Sequence, residues 1–297
     1  MEALKDVSSA LAETVARASK SVVRVEARRR LPASGIVWSS DGVIVTAHHV
    51  VQREGNIQIG LDEGKTVSAE LVGRDATTDL AVLRADVSGI EVPDWANVED
   101  LRVGHLVLAL GRPGQRVMAT LGIVSALGER WQTPAGGELE PYLQTDVVMY
   151  PGFSGGLLVS GTGVGLGLNT SGLLRGVSLT VPHGSLDQVV RALLEHGRVR
   201  RGYLGVSVQP VRLPVLLAEK LDQETGVMLV AVEPDTPADK GGLVLGDTIV
   251  AFDGERVRHM DDLLALLSGE RIGSDVPVRV VRGGELKDLQ ILIGVRE

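Results

Sequence analysis

Short apolar runs rich in Val, Ile and Leu follow one another from Ser21 to Val181 of this 297-residue chain. Glycine, proline and polar turn residues separate them, and no long helical pattern lies between consecutive runs. This spacing favours an antiparallel β barrel or sandwich over alternating βαβ units. The expected strands are Ser21–Ala27, Ser34–Ser39, Val43–Ala47, Asn56–Leu61, Thr66–Val72, Ala81–Ala85, Leu106–Leu110, Ala119–Leu127, Leu143–Thr145, Gly156–Ser160, Gly163–Asn169 and Ser178–Val181.

Amphipathic helices are expected at both ends of this strand series. Residues 3–18 space their apolar side chains three and four apart, and the same spacing recurs between Ser185 and Val199. From residue 202 onward, strands alternate with two short helical segments, around Ala238–Gly242 and Met260–Leu267. We therefore expect two domains: a mainly β domain over residues 1–198 and a smaller α+β domain over residues 199–297.

Composition excludes several classes of protein. Cysteine is absent, which rules out disulfides, a thiol nucleophile and cysteine-ligated zinc. A net charge of -8 with no long lysine or arginine block argues against a nucleic-acid surface. The densest basic run, Arg28-Arg29-Arg30, is interpreted as a solvated strand edge. No stretch approaches the roughly 18 uncharged apolar residues of a membrane span.

The first six residues lack a basic segment followed by an apolar one, so they do not resemble a secretory signal. As written, the sequence predicts a cytoplasmic protein. The alternative is an extracytoplasmic or periplasmic protein from which an export segment was removed.

Ser154 lies in a glycine-rich turn, Pro151 through Gly156. A serine hydroxyl becomes a nucleophile when an imidazole held by a carboxylate takes its proton. His49 follows an apolar strand, and Asp79 precedes another apolar run. A histidine at a strand end is usually a packing residue and an Asp before a strand, as at Asp75, is usually a turn residue. The order of all three together makes the chain a candidate peptidase.

Three motifs in order resemble the high-temperature-requirement (HtrA or Deg) family of serine proteases. They are Thr46 through Val51, Asp75 through Leu83, and Gln144-Thr145-Asp146 with Pro151 through Gly156. Three motifs at fitting spacing are far more specific than any one of them. The resemblance implies a mainly β fold, a trypsin-like double β-barrel followed by a smaller domain, and an enzyme that needs no metal or organic cofactor.

The resemblance implies a role for each motif residue. Ser154 is the expected nucleophile, His49 the general base and then acid, and Asp79 the carboxylate that orients it. The N–H groups of Gly152 and Ser154 are expected to form the oxyanion hole. His48 competes with His49 for the role of base. If strand alternation continues, the two histidines face opposite ways and one alone reaches Ser154; the motif selects His49.

The match departs from the family near the serine, where Phe153 replaces a common asparagine and Leu157 a usual proline. Residues 150–152 occupy the place of a loop that switches between an inactive and an ordered form in the family. Residues 131–140 resemble its regulatory loop, although a plain surface loop is an equal interpretation.

Val148 and Met149 precede the serine at positions that line the primary specificity pocket in this fold. Both are uncharged, which favours cleavage after small or medium aliphatic residues and disfavours cleavage after Lys or Arg.

Residues 202–297 resemble the bacterial form of the PDZ domain. The loop Tyr203-Leu204-Gly205-Val206 is expected to hold the C-terminus of a peptide with backbone N–H groups, and the peptide to add a strand beside Val206–Val208. Leu263 and Leu267, on the expected helix after Met260, are candidates for the opposite wall of the groove. Core packing is the competing interpretation of these leucines.

The predicted function is therefore a serine endopeptidase acting on unfolded or exposed polypeptides in protein quality control, with a PDZ domain that binds hydrophobic C-termini. One alternative is a catalytically silent binding or chaperone scaffold that uses the PDZ domain. Another is an α/β-hydrolase, because Gly152-x-Ser154-x-Gly156 fits a nucleophile elbow, although that fold expects Asp and His after the serine.

Assembly is the least constrained prediction. Family members commonly form trimers through aromatic residues near the N-terminus, and residues 1–37 contain no Phe, Tyr or Trp. The sequence therefore argues against that trimer and leaves another homo-oligomer open.

Overall fold

A computed structural model describes residues 2–61, 64–87, 90–96, 98–200, 202–267 and 271–295. The chain divides into two compact units, residues 1–199 and 200–297. The first unit contains helices α1 (Glu2–Ala18) and α2 (His183–His196), and the second contains α3 (Val215–Leu221), α4 (Pro237–Lys240) and α5 (Met260–Leu266). No helix within the described ranges combines the length and apolar character needed to cross a bilayer.

Six strands of the first unit close into an antiparallel barrel in the order β1-β2-β3-β6-β5-β4. Every residue of β2 and β3 is buried, which explains why their sequences are mainly apolar and do not alternate with charged residues. The strands are β1 (Val22–Glu26), β2 (Ala33–Val37), β3 (Val43–Ala47), β4 (Ile57–Gly60), β5 (Thr66–Asp75) and β6 (Leu80–Ala85).

A second closed barrel follows in the order β11-β14-β13-β12-β7-β8, and a small hairpin, β9 with β10, precedes β11. All strand pairs in the two barrels are antiparallel, so the predicted mainly β double barrel is confirmed and the α/β-hydrolase alternative is wrong. The strands are β7 (Leu106–Gly111), β8 (Met118–Gly128), β9 (Trp131–Gln132), β10 (Glu138–Leu139), β11 (Tyr142–Thr145), β12 (Leu157–Ser160), β13 (Gly165–Thr170) and β14 (Ser178–Pro182).

Helix α2 closes the first unit. It buries Leu186, Val190 and Leu193 in the main core of the unit. The helix ends at His196 because Gly197 adopts a left-handed conformation with φ of 70° and its N–H returns to the carbonyl of Leu193. This helix therefore ends three residues before the predicted Val199.

The second unit is an antiparallel sheet with short helices, which confirms the predicted smaller α+β domain. Its main sheet has the order β16-β17-β18-β20-β21 with β19 paired to β18, and β15 pairs with β22. Helix α3 was not predicted. The strands are β15 (Gly202–Tyr203), β16 (Val206–Arg212), β17 (Thr225–Val232), β18 (Thr248–Phe252), β19 (Glu255–Arg256), β20 (Asp275–Arg282), β21 (Glu285–Leu292) and β22 (Gly294–Val295).

One buried ion pair ties the core of the second unit together. Asp247 is fully buried, and its two carboxylate oxygens each accept a bond of 2.7 Å from the guanidinium of Arg282. The backbone N–H of Val244 also donates to Asp247, at 2.9 Å. These partners offset the cost of removing a carboxylate from water.

Candidate active site

Ser154 follows one tight turn and begins another. The N–H of Phe153 donates to the carbonyl of Tyr150 at 2.9 Å, and Gly152 has φ of 92°. The N–H of Gly156 donates to the carbonyl of Phe153 at 2.9 Å, and Gly155 has φ of 88°. A positive φ at the third residue is typical of a type II turn, which glycine adopts without strain.

The glycines of this segment are also required by space. A Cβ on Gly155 would lie 2.1 Å from the carbonyl oxygen of Ser34, and one on Gly152 would lie 2.7 Å from that of Pro32. The Phe153 side chain is completely buried in the core of the second barrel. The departure from asparagine at position 153 thus gives the serine turn an apolar anchor.

Ser34, on β2, fastens the serine turn to the first barrel. Its hydroxyl donates to the carbonyl of Gly152 at 2.6 Å and accepts from the N–H of Arg112 at 2.8 Å. Its own N–H donates to the carbonyl of Ser154 at 3.2 Å. Sequence reasoning missed Ser34, since the partners of its hydroxyl, Gly152 and Arg112, lie 118 and 78 positions away.

His49 and Asp79 form a close pair. The Asp79 Oδ2 atom lies 2.8 Å from His49 Nδ1, and Oδ1 accepts the backbone N–H of His49 at 2.9 Å. The hydroxyl of Thr170 donates a short hydrogen bond to Oδ2. Asp79 is buried and fully engaged, so it holds the imidazole with Nε2 as the nitrogen left for proton transfer.

A turn built by Asp75 positions Asp79. The Asp75 carboxylate accepts bonds from the backbone N–H groups and hydroxyls of Thr77 and Thr78. Asp79 then takes φ of 57° before β6 begins at Leu80. This is the turn role expected of Asp75 from its sequence position.

The expectation that strand alternation separates the two histidines is wrong. Strand β3 ends at Ala47, and His48 through Val50 form a short 3-10 helix. Burial lowers the pKa of His48, and its Nδ1 has no hydrogen-bond partner among the described residues. His49, and not His48, meets the Asp79 carboxylate because the helical turn directs it there.

The Ser154 hydroxyl is held by Ser171, and not by His49, in this arrangement of the described residues. The two hydroxyl oxygens are 3.0 Å apart, and the N–H of Ser171 points to Ser154 Oγ at 3.4 Å. Ser154, His49 and Gly152 nevertheless line one cavity of about 520 Å³. A rotation of the Ser154 side chain is the change that would bring its hydroxyl to the imidazole.

The strand end 170–172 supplies functional residues that sequence reasoning missed. Thr170 contacts Asp79, Ser171 contacts Ser154, and a Cβ on Gly172 would lie 2.6 Å from His49 Nδ1. Their signal in the sequence was weak, because a Thr-Ser-Gly stretch after a strand is also typical of an ordinary turn.

Two backbone N–H groups beside the Ser154 hydroxyl have no acceptor within the described part of the chain: those of Gly152 and Ser154. The neighbouring N–H groups are all engaged, that of Gly155 with the carbonyl of Asn169 at 2.9 Å. A pair of unengaged donors next to a nucleophile is the arrangement that stabilises an oxyanion.

The two expected specificity residues occupy different places. Met149 lines the cavity, while Val148 is 54% exposed and does not line it. Asp146 is turned away to the backbone of β8, where its Oδ1 accepts the N–H of Ile123 at 2.6 Å. The cavity wall near the serine is therefore uncharged on the Met149 side.

The basic run Arg28-Arg29-Arg30 lies in the loop between β1 and β2 and lines the same cavity as Ser154. Arg29 and Arg30 are exposed after the end of β1, as that interpretation expects, and the structure adds that all three arginines line the cavity. The sequence pattern could not show this, because the closeness of this loop to the serine turn depends on the packing of the two barrels.

In the second unit, Tyr203 lies on β15, and Leu204 and Gly205 connect it to β16. Leu204 is buried in the core. Gly205 has φ of 82°, and a Cβ there would lie 2.3 Å from Thr236. Strand β16, which starts at Val206, pairs with β17 on one side and is an edge of the sheet. An edge strand offers unpaired backbone groups to a peptide.

The helix residues of the expected groove differ in exposure. Leu263 is buried in the core of the second unit, and Leu267 is partly buried against it. Met260 and Leu264, which were not named as groove residues, are exposed. The core interpretation therefore describes Leu263 best.

Two closed antiparallel barrels, with a serine and a histidine at one cavity and a buried aspartate bonded to the histidine, define a trypsin-like serine peptidase domain, here followed by a PDZ-like unit. A family model described as a trypsin-like peptidase domain matches residues 33–168, and a PDZ domain model matches residues 202–293.

Relatives fix the family. The solved HtrA-type protease AlgW with decapeptide is 30% identical, covers 97% of this chain and 99% of its own, and gives a TM-score of 0.81. The serine endoprotease from Yersinia pestis is 30% identical. The match covers 97% of this chain and 98% of that protein's chain, with a TM-score of 0.78. The chain belongs to the HtrA family of serine proteases.

Curated relatives are longer than this chain. The probable periplasmic serine endoprotease DegP-like of Halomonas elongata is 36% identical over 272 residues, which are 90% of this chain. The chain spans 57% of the length of that relative.

Proposed function

We propose that this protein is a serine endopeptidase that cleaves unfolded or exposed polypeptides, with Ser154, His49 and Asp79 as its catalytic residues. The observation that carries the proposal is the His49–Asp79 pair at 2.8 Å, with Thr170 bonded to the carboxylate and with His49 lining the same cavity as Ser154. A histidine held by a buried carboxylate beside a serine in a glycine turn suits acyl transfer.

The reaction uses these groups in two half-steps. Ser154 Oγ attacks the scissile carbonyl carbon while His49 Nε2 takes the hydroxyl proton, and the N–H groups of Gly152 and Ser154 receive the oxyanion. His49 then gives the proton to the departing amine, leaving an acyl ester on Ser154. Water attacks that ester with His49 as base, releasing the acid and restoring the serine.

For the residue before the cleaved bond, we propose a small or medium aliphatic side chain. The uncharged pair Val148 and Met149 supports this, with Met149 at the cavity wall. A buried cationic side chain would need a carboxylate there. Paired peptides with Val or Arg before the cleaved bond test the idea, and faster cleavage of the Arg peptide would contradict it.

The second unit, for which we propose residues 199–297 as the domain, binds hydrophobic C-termini. Tyr203, Leu204, Gly205 and Val206 form the carboxylate-binding segment, and the edge position of β16 supports strand addition. Leu263 and Leu267 would support the apolar wall from within. Residues 1–198 are the corresponding protease domain.

For location, we propose the extracytoplasmic compartment. The curated relatives are described as probable periplasmic endoproteases, which favours this alternative over the cytoplasmic one. Fractionation of cells producing the native gene product tests it, and recovery in the cytoplasmic fraction alone would contradict it.

One experiment tests the proposed activity. Casein cleavage is compared between the wild type and Ser154→Ala, each with and without a peptide ending in hydrophobic residues. We expect cleavage by the wild type, loss in the variant, and peptide stimulation of the wild type alone. Equal rates in the two proteins would refute Ser154 as the nucleophile.

A further inference from the structure

The catalytic cavity has a cationic wall. Its lining includes Arg28, Arg29 and Arg30 together with His49 and Ser154, and among the described lining residues there is no Asp or Glu. The chain as a whole carries a net charge of -8, so this concentration of positive charge runs against the overall balance. Charges of one sign in a cleft focus the field on an approaching ligand of the opposite sign.

These three arginines, named here the arginine wall, lack carboxylate partners. Within the described ranges, no carboxylate oxygen lies within ion-pair distance of any of them. Arg28 instead donates to the backbone carbonyls of Leu31 and Pro32. Arg29 and Arg30 are exposed.

Three other arginines of the same barrel have carboxylate partners, whereas Arg53 donates to the backbone carbonyl of Glu26. Arg24 pairs with Glu26, and Arg74 and Arg84 each pair with an acidic side chain of the same unit. Three adjacent cations thus line the cavity that contains Ser154 without a carboxylate partner among the described residues. A substrate carboxylate is the group that would relieve their mutual repulsion.

The loop that carries the arginine wall packs against the serine turn. This loop continues into Pro32, whose carbonyl oxygen would lie 2.7 Å from a Cβ on Gly152, and into Ser34, which bonds to Gly152 and Ser154. Arg28 is tied to the Pro32 carbonyl. The wall thus borders the oxyanion turn, while Met149 supplies uncharged surface elsewhere in the cavity.

We propose that the arginine wall is a subsite for acidic side chains, so that the enzyme prefers substrates with Asp or Glu within a few residues of the cleaved bond. The proposal rests on the proposed peptidase function. It predicts a combined specificity, an aliphatic residue at the cleavage point and a carboxylate nearby. Arginine suits this role because its planar fork binds carboxylates in a bidentate manner.

The test uses matched peptides that share one aliphatic cleavage point and carry Glu or Gln at each flanking position in turn. We expect at least one position at which the Glu peptide has a kcat/KM roughly fivefold higher than the Gln peptide, as for two exposed ion pairs. The ratio of kcat/KM for the Glu peptide to kcat/KM for the Gln peptide should fall toward one in the variant Arg29→Gln/Arg30→Gln. It should also fall in the wild type when the salt concentration is raised to about 0.5 M.

A charge-reversed variant and a distant control sharpen the result. Arg29→Glu/Arg30→Glu should favour Lys over Gln at the same position. Arg102→Gln/Lys65→Gln removes equal charge from exposed residues outside the cavity and should keep the wild-type ratio. Equal rates for Glu and Gln at every position, or a preference that survives in the Arg29/Arg30 variants, would overturn the proposal.

Binding separates this proposal from the peptidase function. Fluorescein-labelled Glu and Gln peptides, each with a free or an amidated C-terminus, are titrated against Ser154→Ala, in which no cleavage is needed. Tighter binding of the Glu peptide in both terminal forms supports the subsite even if the wild type cleaves nothing. Equal affinity of the Glu and Gln peptides, or an effect of the free C-terminus alone, refutes it.

Discussion

Thr170 hydrogen-bonds to the carboxylate of Asp79. Its buried hydroxyl donates to the carboxylate that orients His49 and accepts the N–H of Gly172 at 2.9 Å. We predict that Thr170→Val, which keeps the shape, lowers kcat by about tenfold with little change in KM, because the imidazole loses its fixed orientation. Steady-state kinetics on a chromogenic peptide measure this.

The control for Thr170→Val is Thr180→Val, another buried threonine of the same barrel, whose hydroxyl bonds to Asn169 at 3.1 Å and not to the proposed catalytic residues. If both variants lost the same activity, general loosening of the barrel would explain the result and the positioning role would fail.

Two histidines make the stability of the fold depend on pH. Burial lowers the pKa of His48 and of His183, so the unfolded chain binds protons more readily at these sites than the folded one. Their contribution to the stability of the folded state is present above the ordinary histidine pKa of about 6.5. It is lost as the pH falls below that value.

We therefore predict a smaller free energy of unfolding at pH 5 than at pH 7.5. Urea denaturation should show that the difference in unfolding free energy between the two pH values is smaller in His48→Gln and in His183→Gln than in the wild type. The exposed His105→Gln should keep the wild-type difference. An unchanged difference in both buried-site variants would contradict this account.

At the scale of elements, the serine turn depends on glycines that no other residue can replace. Gly155→Ala would place a Cβ 2.1 Å from the Ser34 carbonyl oxygen at a φ of 88°. We predict a loss of about 2–4 kcal/mol in unfolding free energy and loss of activity. Gly114→Ala is the matched control, because its φ is not positive and nothing lies within 4 Å of the added Cβ.

Guanidinium denaturation measures the stability of both variants, and peptide cleavage measures their activity. A Gly155→Ala protein as stable and active as Gly114→Ala would show that the turn tolerates rearrangement and would contradict the strict geometry described for it.

The hairpin β9–β10 packs against the turn that holds Asp79. The buried Thr133 hydroxyl donates to the Thr77 carbonyl at 2.6 Å and accepts the N–H of Gly137 at 2.9 Å. A Cβ on Gly137 would lie 2.4 Å from the same carbonyl. This contact links residues 131–140 to the proposed catalytic carboxylate.

We predict that Thr133→Val costs about 1–2 kcal/mol of stability, because two hydrogen bonds are lost, and lowers kcat by loosening the Asp79 turn. Ser125→Ala, which removes an exposed hydroxyl bonded at 3.4 Å, is the control. Denaturation measures the stability of both variants, and steady-state kinetics measures their kcat. An unchanged kcat in Thr133→Val would show that the hairpin has no influence on the site.

Much of the fold followed from local pattern, and the rest from contacts that pattern does not encode. Strand β3 was predicted with its observed ends because four of its five residues are apolar and polar or glycine residues stand on either side. Helix α3 was missed because it is one short segment whose Val215 and Leu216 point to solvent, so it lacks a full apolar stripe.

The same division applies to the site. Three motif residues were found by order and spacing; the structure places Ser154 and His49 at one cavity and Asp79 behind His49. Ser34 and Ser171 were missed because a serine gains a positioning role only from partners brought near by the two barrels. The arginine wall was visible as a run of charge, but its place beside the serine was not.

At the scale of the whole molecule, each unit has its own core. Asp247 is fully buried in the second unit and bonds to Arg282 through both oxygens. We predict that Asp247→Ala destabilises this unit by about 2–4 kcal/mol, because a guanidinium loses its buried partner. Calorimetry should show one unfolding transition lowered and that of the first unit retained.

Asp288→Ala removes the exposed partner of Arg279 in the same sheet and is the control, with little change expected. If Asp247→Ala lowered both transitions equally, the two cores would not be separate units of unfolding.

The proposed activity depends on Ser154 as the nucleophile, and covalent labelling tests this role most directly. A fluorophosphonate is reacted with the wild type, Ser154→Ala, Ser171→Ala and His49→Ala, and the adduct is located by peptide mass mapping. We predict a single adduct on Ser154 that forms in the wild type and in Ser171→Ala and is lost without His49. An unlabelled Ser154 in the wild type, or equal labelling of Ser154 in His49→Ala, would contradict the role of Ser154 as a nucleophile activated by His49.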